Sequence, residues 1–119
     1  MKIEKWADKN SQSSQIGESV WSVSRLIELS KDLAVFDAQL DCLDVSKTYN
    51  DIRMRDFVMH MNAVLEADLD FPIILDEDGE IMDGRHRVMK AMHLGKKTIK
   101  AVRFDENPTP CRYKKEGDL

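Results

Sequence analysis

The residues best suited to chemistry lie in one run, Asp83-Gly84-Arg85-His86-Arg87. A short strand, Ile81-Met82, leads into it, and a helix from Gly84 to Leu94 leads out. Val88, Ala91, Met92 and Gly95 fall at helical spacing and form the stripe expected to be buried, with Gly95 as the stop. The first turn of a helix offers unpaired N–H groups and the positive end of the macrodipole. Helices ordinarily place acids there, whereas this one places Arg85, His86 and Arg87. A bound anion relieves that conflict, and phosphate suits both the N–H groups and a guanidinium fork. Gly84, Arg85, His86 and Arg87 are therefore the expected phosphate or nucleotide contacts.

Asp83 has two readings. Its carboxylate caps the helix, a contribution of about 1 kcal/mol, or it serves as a base or a magnesium ligand beside the phosphate. Histidine zinc chemistry is disfavoured. His86 and His93 share a helix face but sit about 10 Å apart along its axis, too far for one zinc. No Walker loop and no G-x-G-x-x-G occurs. Cys42 and Cys111 are isolated, so two unpaired thiols are expected.

These residues need a frame to hold them. At 119 residues the chain can bury one modest core, and 42% hydrophobic with 34% charged residues suits a folded, hydrated domain. Residues 1–18 read as a flexible lead-in, 19–104 as the domain and 105–119 as an extended tail. Ser22 is the expected cap of a helix carrying Val23, Leu26, Ile27, Ser30 and Leu33, followed by a strand from Val35 to Leu40 with Phe36, Ala38 and Leu40 on one face. Residues 41–51 are polar and turn-rich. The clearest helix runs from about Met54 to about Ala67. Its face of Met54, Phe57, Val58, Met61, Val64 and Leu65 is expected to pack in the core, with His60 at the boundary. Phe71 to Leu75 and Glu80 to Met82 form a hairpin about Asp76-Glu77-Asp78-Gly79, and Thr98 to Phe104 forms a further strand.

Charge narrows the partners. The net charge is −4, yet residues 80–104 carry seven bases against two acids, and residues 66–80 carry seven acids and no base. A local basic patch on an acidic body suits a small anion better than a long duplex. No apolar run is long enough for a membrane span, and the first residues lack the apolar core of a signal peptide, so no membrane partner and a cytoplasmic location are expected.

The Asp83 to Arg87 run, with the Pro72-Ile73-Ile74-Leu75 hairpin before it and Lys90-Ala91 and Leu94-Gly95 after it, resembles the ParB/sulfiredoxin superfamily. The order strand, D-G-x-H-R, helix, L-G, strand is matched from Leu33 to Phe104. Trp21-Ser22-Val23 and Ala67-Asp68-Leu69 are similar to a bacterial branch of small ParB-like proteins. The resemblance implies an α+β fold, a small mixed sheet with packed helices. It also implies a nucleotide or phosphate held by Gly84, His86 and Arg87, with a nucleoside triphosphate and magnesium as the cofactors. Arg85 stands where sulfiredoxins carry their reactive cysteine, which argues against peroxiredoxin repair. Gly84-Arg85-His86-Arg87 lacks the acid of the partition proteins' G-E-R-R, and their helix-turn-helix has no counterpart here. The D-G-H-H-R motif of the family's free-serine kinases is nearer, but no second catalytic acid is identified near Asp37 or Asp41. The expected function is a stand-alone ParB-like domain that binds a nucleotide or other phosphate-bearing ligand in a regulatory role, together with a protein partner or a second copy of itself. The alternatives are a magnesium-dependent phosphotransferase or nucleotide hydrolase using Asp83, and a DNA-associated partition-like protein or nuclease.

Overall fold

The computed structural model describes residues 13–46 and 51–113. The parts of the expected lead-in, turn-rich stretch and tail that fall on 1–12, 47–50 and 114–119 lie outside the described residues. The fold is α+β, as expected. Strands β1 (Ser13–Ile16) and β2 (Ser19–Ser22) form a hairpin and are followed by helix α1 (Val23–Ser30), strand β3 (Phe36–Gln39) and a 3-10 turn at Leu40–Cys42. Helix α2 (Met54–Glu66), the β4 (Ile73–Leu75) and β5 (Ile81–Asp83) hairpin, helix α3 (Arg85–His93) and strands β6 (Thr98–Arg103) and β7 (Arg112–Tyr113) follow among the described residues.

The main sheet has the order β3-β6-β4-β5. β6 runs parallel to β4 and antiparallel to β3, so the sheet is mixed. Alternation along β4 and β6 sends side chains to both faces. Ile73, Leu75, Ile99 and Ala101 join Val88 and Ala91 of α3 in one apolar cluster. Ile74, Val102 and Phe104 join Trp21 and Leu26, on the side of α1, in another. The sheet thus lies between α3 and α1, and α2 packs on α3.

Local signals placed the element ends. The Ser22 hydroxyl accepts the Arg25 N–H at 3.3 Å and caps α1. After α3, Gly95 N–H reaches the Met92 carbonyl and Lys96 N–H the Ala91 carbonyl, a Schellman closure. The β4–β5 turn is built around Asp76, whose side chain is 1% exposed. Its Oδ1 accepts the N–H groups of Asp78 and Glu80, both at 2.8 Å. That satisfied buried carboxylate holds the hairpin that delivers Asp83.

Four expectations change. Ser13–Ile16, within the expected flexible lead-in, form β1, which pairs with β2 across Ser14 and Trp21. The segment after Phe104 is extended but engaged. The Pro108 carbonyl accepts the indole N–H of buried Trp21 at 2.9 Å, Cys111 N–H reaches the Val20 carbonyl at 2.8 Å, and β7 adds to the small β1-β2-β7 sheet. A buried indole needs an acceptor, and this segment supplies it. The largest change concerns α2. Met54, Phe57, Val58, Met61 and Leu65 are all exposed, and the buried residue of that helix is His60. Its flank, with half-buried Ala63 and Val64, faces α3 instead. The Met92 position expected in the stripe of α3 is exposed too. Cys42 and Cys111 are free thiols, as expected. Among the described residues no helix is long and apolar enough to cross a membrane.

Candidate functional site

The backbone of Gly84 opens α3. Its φ is +104°, in the left-handed region that side chains with a Cβ disfavour. A Cβ there would come within 2.6 Å of Ile73 Cγ2 and 2.9 Å of Ile73 Cβ. Glycine at this position therefore answers both to backbone conformation and to the close approach of β4. Gly84 is also the N-cap of α3, and no side chain caps the helix.

The capping reading of Asp83 is accordingly corrected. Asp83 ends β5, one residue before the left-handed turn, and its carboxylate meets the guanidinium one helical turn ahead. Arg87 Nη2 donates to Asp83 Oδ2 at 2.9 Å, with the two side chains only 15% and 16% exposed. Arg87 Nη1 also donates to the Phe71 carbonyl at 3.4 Å. Arg87 is thus a packed member of the fold, not a solvated first-turn base. Truncating it would strand a nearly buried carboxylate. A guanidinium carries further N–H donors beyond those two bonds.

The expected contacts Arg85, His86 and Arg87 do not converge. Successive helical residues turn by about 100°, and their side chains enter three surroundings. Arg87 and Asp83 line a groove of about 240 Å³ whose other walls include Ile27, Lys31, Leu33 and Phe71. Arg85 is exposed and lines a separate hollow of about 170 Å³ beside Asp44, Glu80 and Ile16. His86 turns toward α2, where its Nε2 lies 2.8 Å from Nδ1 of His60. What the run shares is the uncapped backbone at the start of α3.

The two imidazoles form one hydrogen bond, one ring nitrogen donating and the other accepting, so at least one ring must be neutral there. Burial holds His60 below the ordinary imidazole value against the opposing pull of Asp56. Burial also holds His86 low, followed by the nearby His60 ring, with Arg87 adding to the effect and Asp83 opposing it. Lys90, one turn further along α3, donates to the carbonyls of Leu65 at 3.0 Å and Ala67 at 2.6 Å. It closes the C-terminal end of α2 and thereby fixes α2 against the helix that carries the run.

His60 and Lys31 were not among the expected site residues. The periodicity of α2 placed His60 at the edge of a face taken as buried. A hint lay in its neighbours, because Ala63, one turn on, leaves room for close helix approach. Lys31 carried no signal, since only the packing of α1 on the sheet brings it to the groove. Its ammonium pairs with Glu28 at 2.8 Å, and both side chains are exposed, so the pair is weak and readily exchanged for another anion. Among the described residues no three His, Cys, Asp or Glu side chains gather as a metal cluster. Asp83, already neutralised by Arg87, is a poor fit for magnesium.

No protein-family model matches the chain, and no curated protein matches it.

Proposed function

We propose that the chain is a binding module for a phosphate-bearing ligand, in the manner of a small ParB-like domain. The ligand's anionic end would meet the first turn of α3, and its body would lie in the adjoining groove. The observation that carries this reading is the pairing of two features. α3 starts without a capping side chain or a first-turn acid, and Arg87 and Lys31 flank a groove whose walls include apolar Ile27, Leu33 and Phe71. The N-terminal end of the helix and its dipole favour an anion, while the apolar wall favours a planar or aliphatic portion. At about 240 Å³ the groove falls below the usual range of roughly 300–1,000 Å³ for ligand pockets. A mononucleotide or smaller phosphate compound is therefore favoured over a dinucleotide, and such a ligand suits a cytoplasmic setting.

A binding role is favoured over phosphoryl transfer. A general base needs a carboxylate free to meet the substrate, and the Asp83 carboxylate is already engaged by the Arg87 guanidinium at 2.9 Å. The test is a thermal-shift and calorimetric series with inorganic phosphate and with nucleoside mono-, di- and triphosphates, each with and without magnesium. A ligand at a hundred times its dissociation constant should add about 2.7 kcal/mol of stability. Arg87→Lys keeps a positive charge beside Asp83 but loses the planar fork, so it should fold and bind the ligand at least about tenfold more weakly. Absence of stabilisation by every phosphate compound, or equal affinity in Arg87→Lys, would overturn the reading.

A further inference from the structure

Helix α2 is joined to the body of the protein differently from α1 and α3. Leu26 of α1 belongs to one apolar cluster, and Val88 and Ala91 of α3 belong to the other. Neither cluster contains a residue of α2. The one buried side chain of α2 is His60. Half-buried Asp56, Met59, Ala63 and Val64 share its side of the helix. The seam with α3 is closed by the His60–His86 contact and, at the C-terminal end, by Lys90 on the Leu65 and Ala67 carbonyls. A segment with so little buried apolar surface opens at low cost, and its central contact is between two titratable rings.

The geometry of that contact decides how it answers to protons. His60 Nδ1 and His86 Nε2 are 2.8 Å apart and the ring centroids 5.1 Å apart. That is about the largest centroid separation such a contact allows, so the facing nitrogens lie on the line between the rings. The line holds one hydrogen. With neither ring or one ring charged, one nitrogen donates and the other accepts. With both charged, each facing nitrogen carries a hydrogen, the bond is lost and two cations oppose each other. Burial is the main influence on both rings and holds them low. At His60 the Asp56 carboxylate opposes it. At His86 the His60 ring and Arg87 add to it, and Asp83 opposes it. Both carboxylates are already shared, Asp83 with Arg87 and Asp56 with Arg53 at 3.2 Å. Beneath α3, strands β4 and β6 present Ile73, Leu75, Ile99 and Ala101. The charged groups of β6 are engaged elsewhere, Lys100 with Asp70 and Arg103 with the Glu77 carbonyl. An opened seam therefore takes up protons more readily than a closed one, and opening becomes easier as pH falls.

We propose that the His60–His86 contact is an acid-operated latch, whose double protonation releases α2 from α3 while the sheet, α1 and α3 stay folded. The core survives release because no residue of α2 belongs to it. The release is one-sided. The bonds of Lys90 to the Leu65 and Ala67 carbonyls depend on neither imidazole, so they keep the C-terminal end of α2 in place where the chain turns toward β4. A 13-residue helix without a packing partner is marginal in water, so its backbone N–H groups become open to exchange. Release uncovers the flank of α3 at the turn that carries His86. The inference does not depend on what the groove at Arg87 binds.

The experiment is amide hydrogen exchange of the full chain, read by mass spectrometry at pH 7.5 and 5.5 and corrected for the intrinsic rate at each pH. Peptides from α2 should lose at least about tenfold in protection on acidification. At pH 5.5 their exchange should not respond to urea well below the unfolding midpoint, because a local opening exposes little surface. Peptides from β4 and β6 should exchange more slowly and should speed up in the same urea. His60→Gln and His86→Gln each leave a side chain able to bond the remaining ring but remove the facing cations. Each should keep α2 protected at pH 7.5 and cut the acid loss to about threefold or less. Either variant serves if the other fails to fold, and the urea response of the wild type needs neither. Protection of α2 that does not change with pH would overturn the proposal. So would exchange of α2 that rises with urea in step with β4 and β6, since the acid response would then belong to the whole fold. An acid loss as large in the glutamine variants as in the wild type would overturn the latch in favour of other groups.

Discussion

Replacing Gly84 with alanine tests how the run that opens α3 is held. Two costs are expected. The first is conformational, because an L residue at φ +104° sits in a left-handed region that costs about 1–2 kcal/mol. The second is steric. The new methyl would lie 2.6 Å from Ile73 Cγ2 and 2.9 Å from Ile73 Cβ. Ile73 is fully buried and sits on β4, which is paired on both sides, so it has no free direction in which to retreat. Overpacking of this kind costs about 1–3 kcal/mol. The sum is about 2–5 kcal/mol, a large share of the roughly 5–15 kcal/mol expected for a domain. Gly79→Ala separates the two costs. Gly79 also has positive φ, at +85°, but a Cβ there meets nothing within 4 Å, so only the conformational cost of about 1–2 kcal/mol applies. Urea denaturation of the three proteins measures the difference as a change in midpoint at constant slope. Equal losses in Gly84→Ala and Gly79→Ala would refute the claim that β4 crowds the start of α3. The same substitution would also crowd Arg87 Nη2, 3.0 Å from the new methyl, so ligand affinity should fall along with stability.

Two further perturbations address the side chains of the run. Arg87→Met strands the Asp83 carboxylate and should cost about 3 kcal/mol, whereas Asp83→Leu/Arg87→Met should recover most of that loss; additive losses in the double-mutant cycle would show that the pair is not coupled. The histidine pair predicts an acid-sensitive fold. Both imidazoles are held below the ordinary value of 6.5 in the folded state, so the unfolded chain binds protons more readily. The stability they contribute is complete above pH 6.5 and is lost as pH falls below it toward the folded values. Urea midpoints should therefore drop between pH 7.5 and 5.5, and drop less in His60→Gln. An identical pH dependence in the two proteins would remove the pair as the cause.

The sequence by itself determined the features whose causes are local. Ser22 caps α1 because its hydroxyl reaches an N–H three residues on, and any chain with that residue before that helix could do the same. The Asp76-to-Gly79 turn, the close of α3 at Gly95 and the strand over 98–103 follow from neighbours within a few positions. Hydrophobic periodicity likewise placed α2 to within a residue of its ends. Periodicity, however, reports that a helix has an apolar face and not what that face meets. Tertiary packing turned the shorter flank of α2 toward α3, buried His60 against His86 and left the methionine stripe outside. It also separated Arg85, His86 and Arg87, since adjacent helical residues point in different directions and only surrounding elements decide what each one finds. Asp83 could be read as a cap because it precedes a helix. The left-handed turn at Gly84, forced against Ile73 some eleven residues earlier, gave its carboxylate to Arg87 instead. Contacts between residues distant in the chain depend on which faces of the sheet and helices come together, and no local pattern encodes that choice.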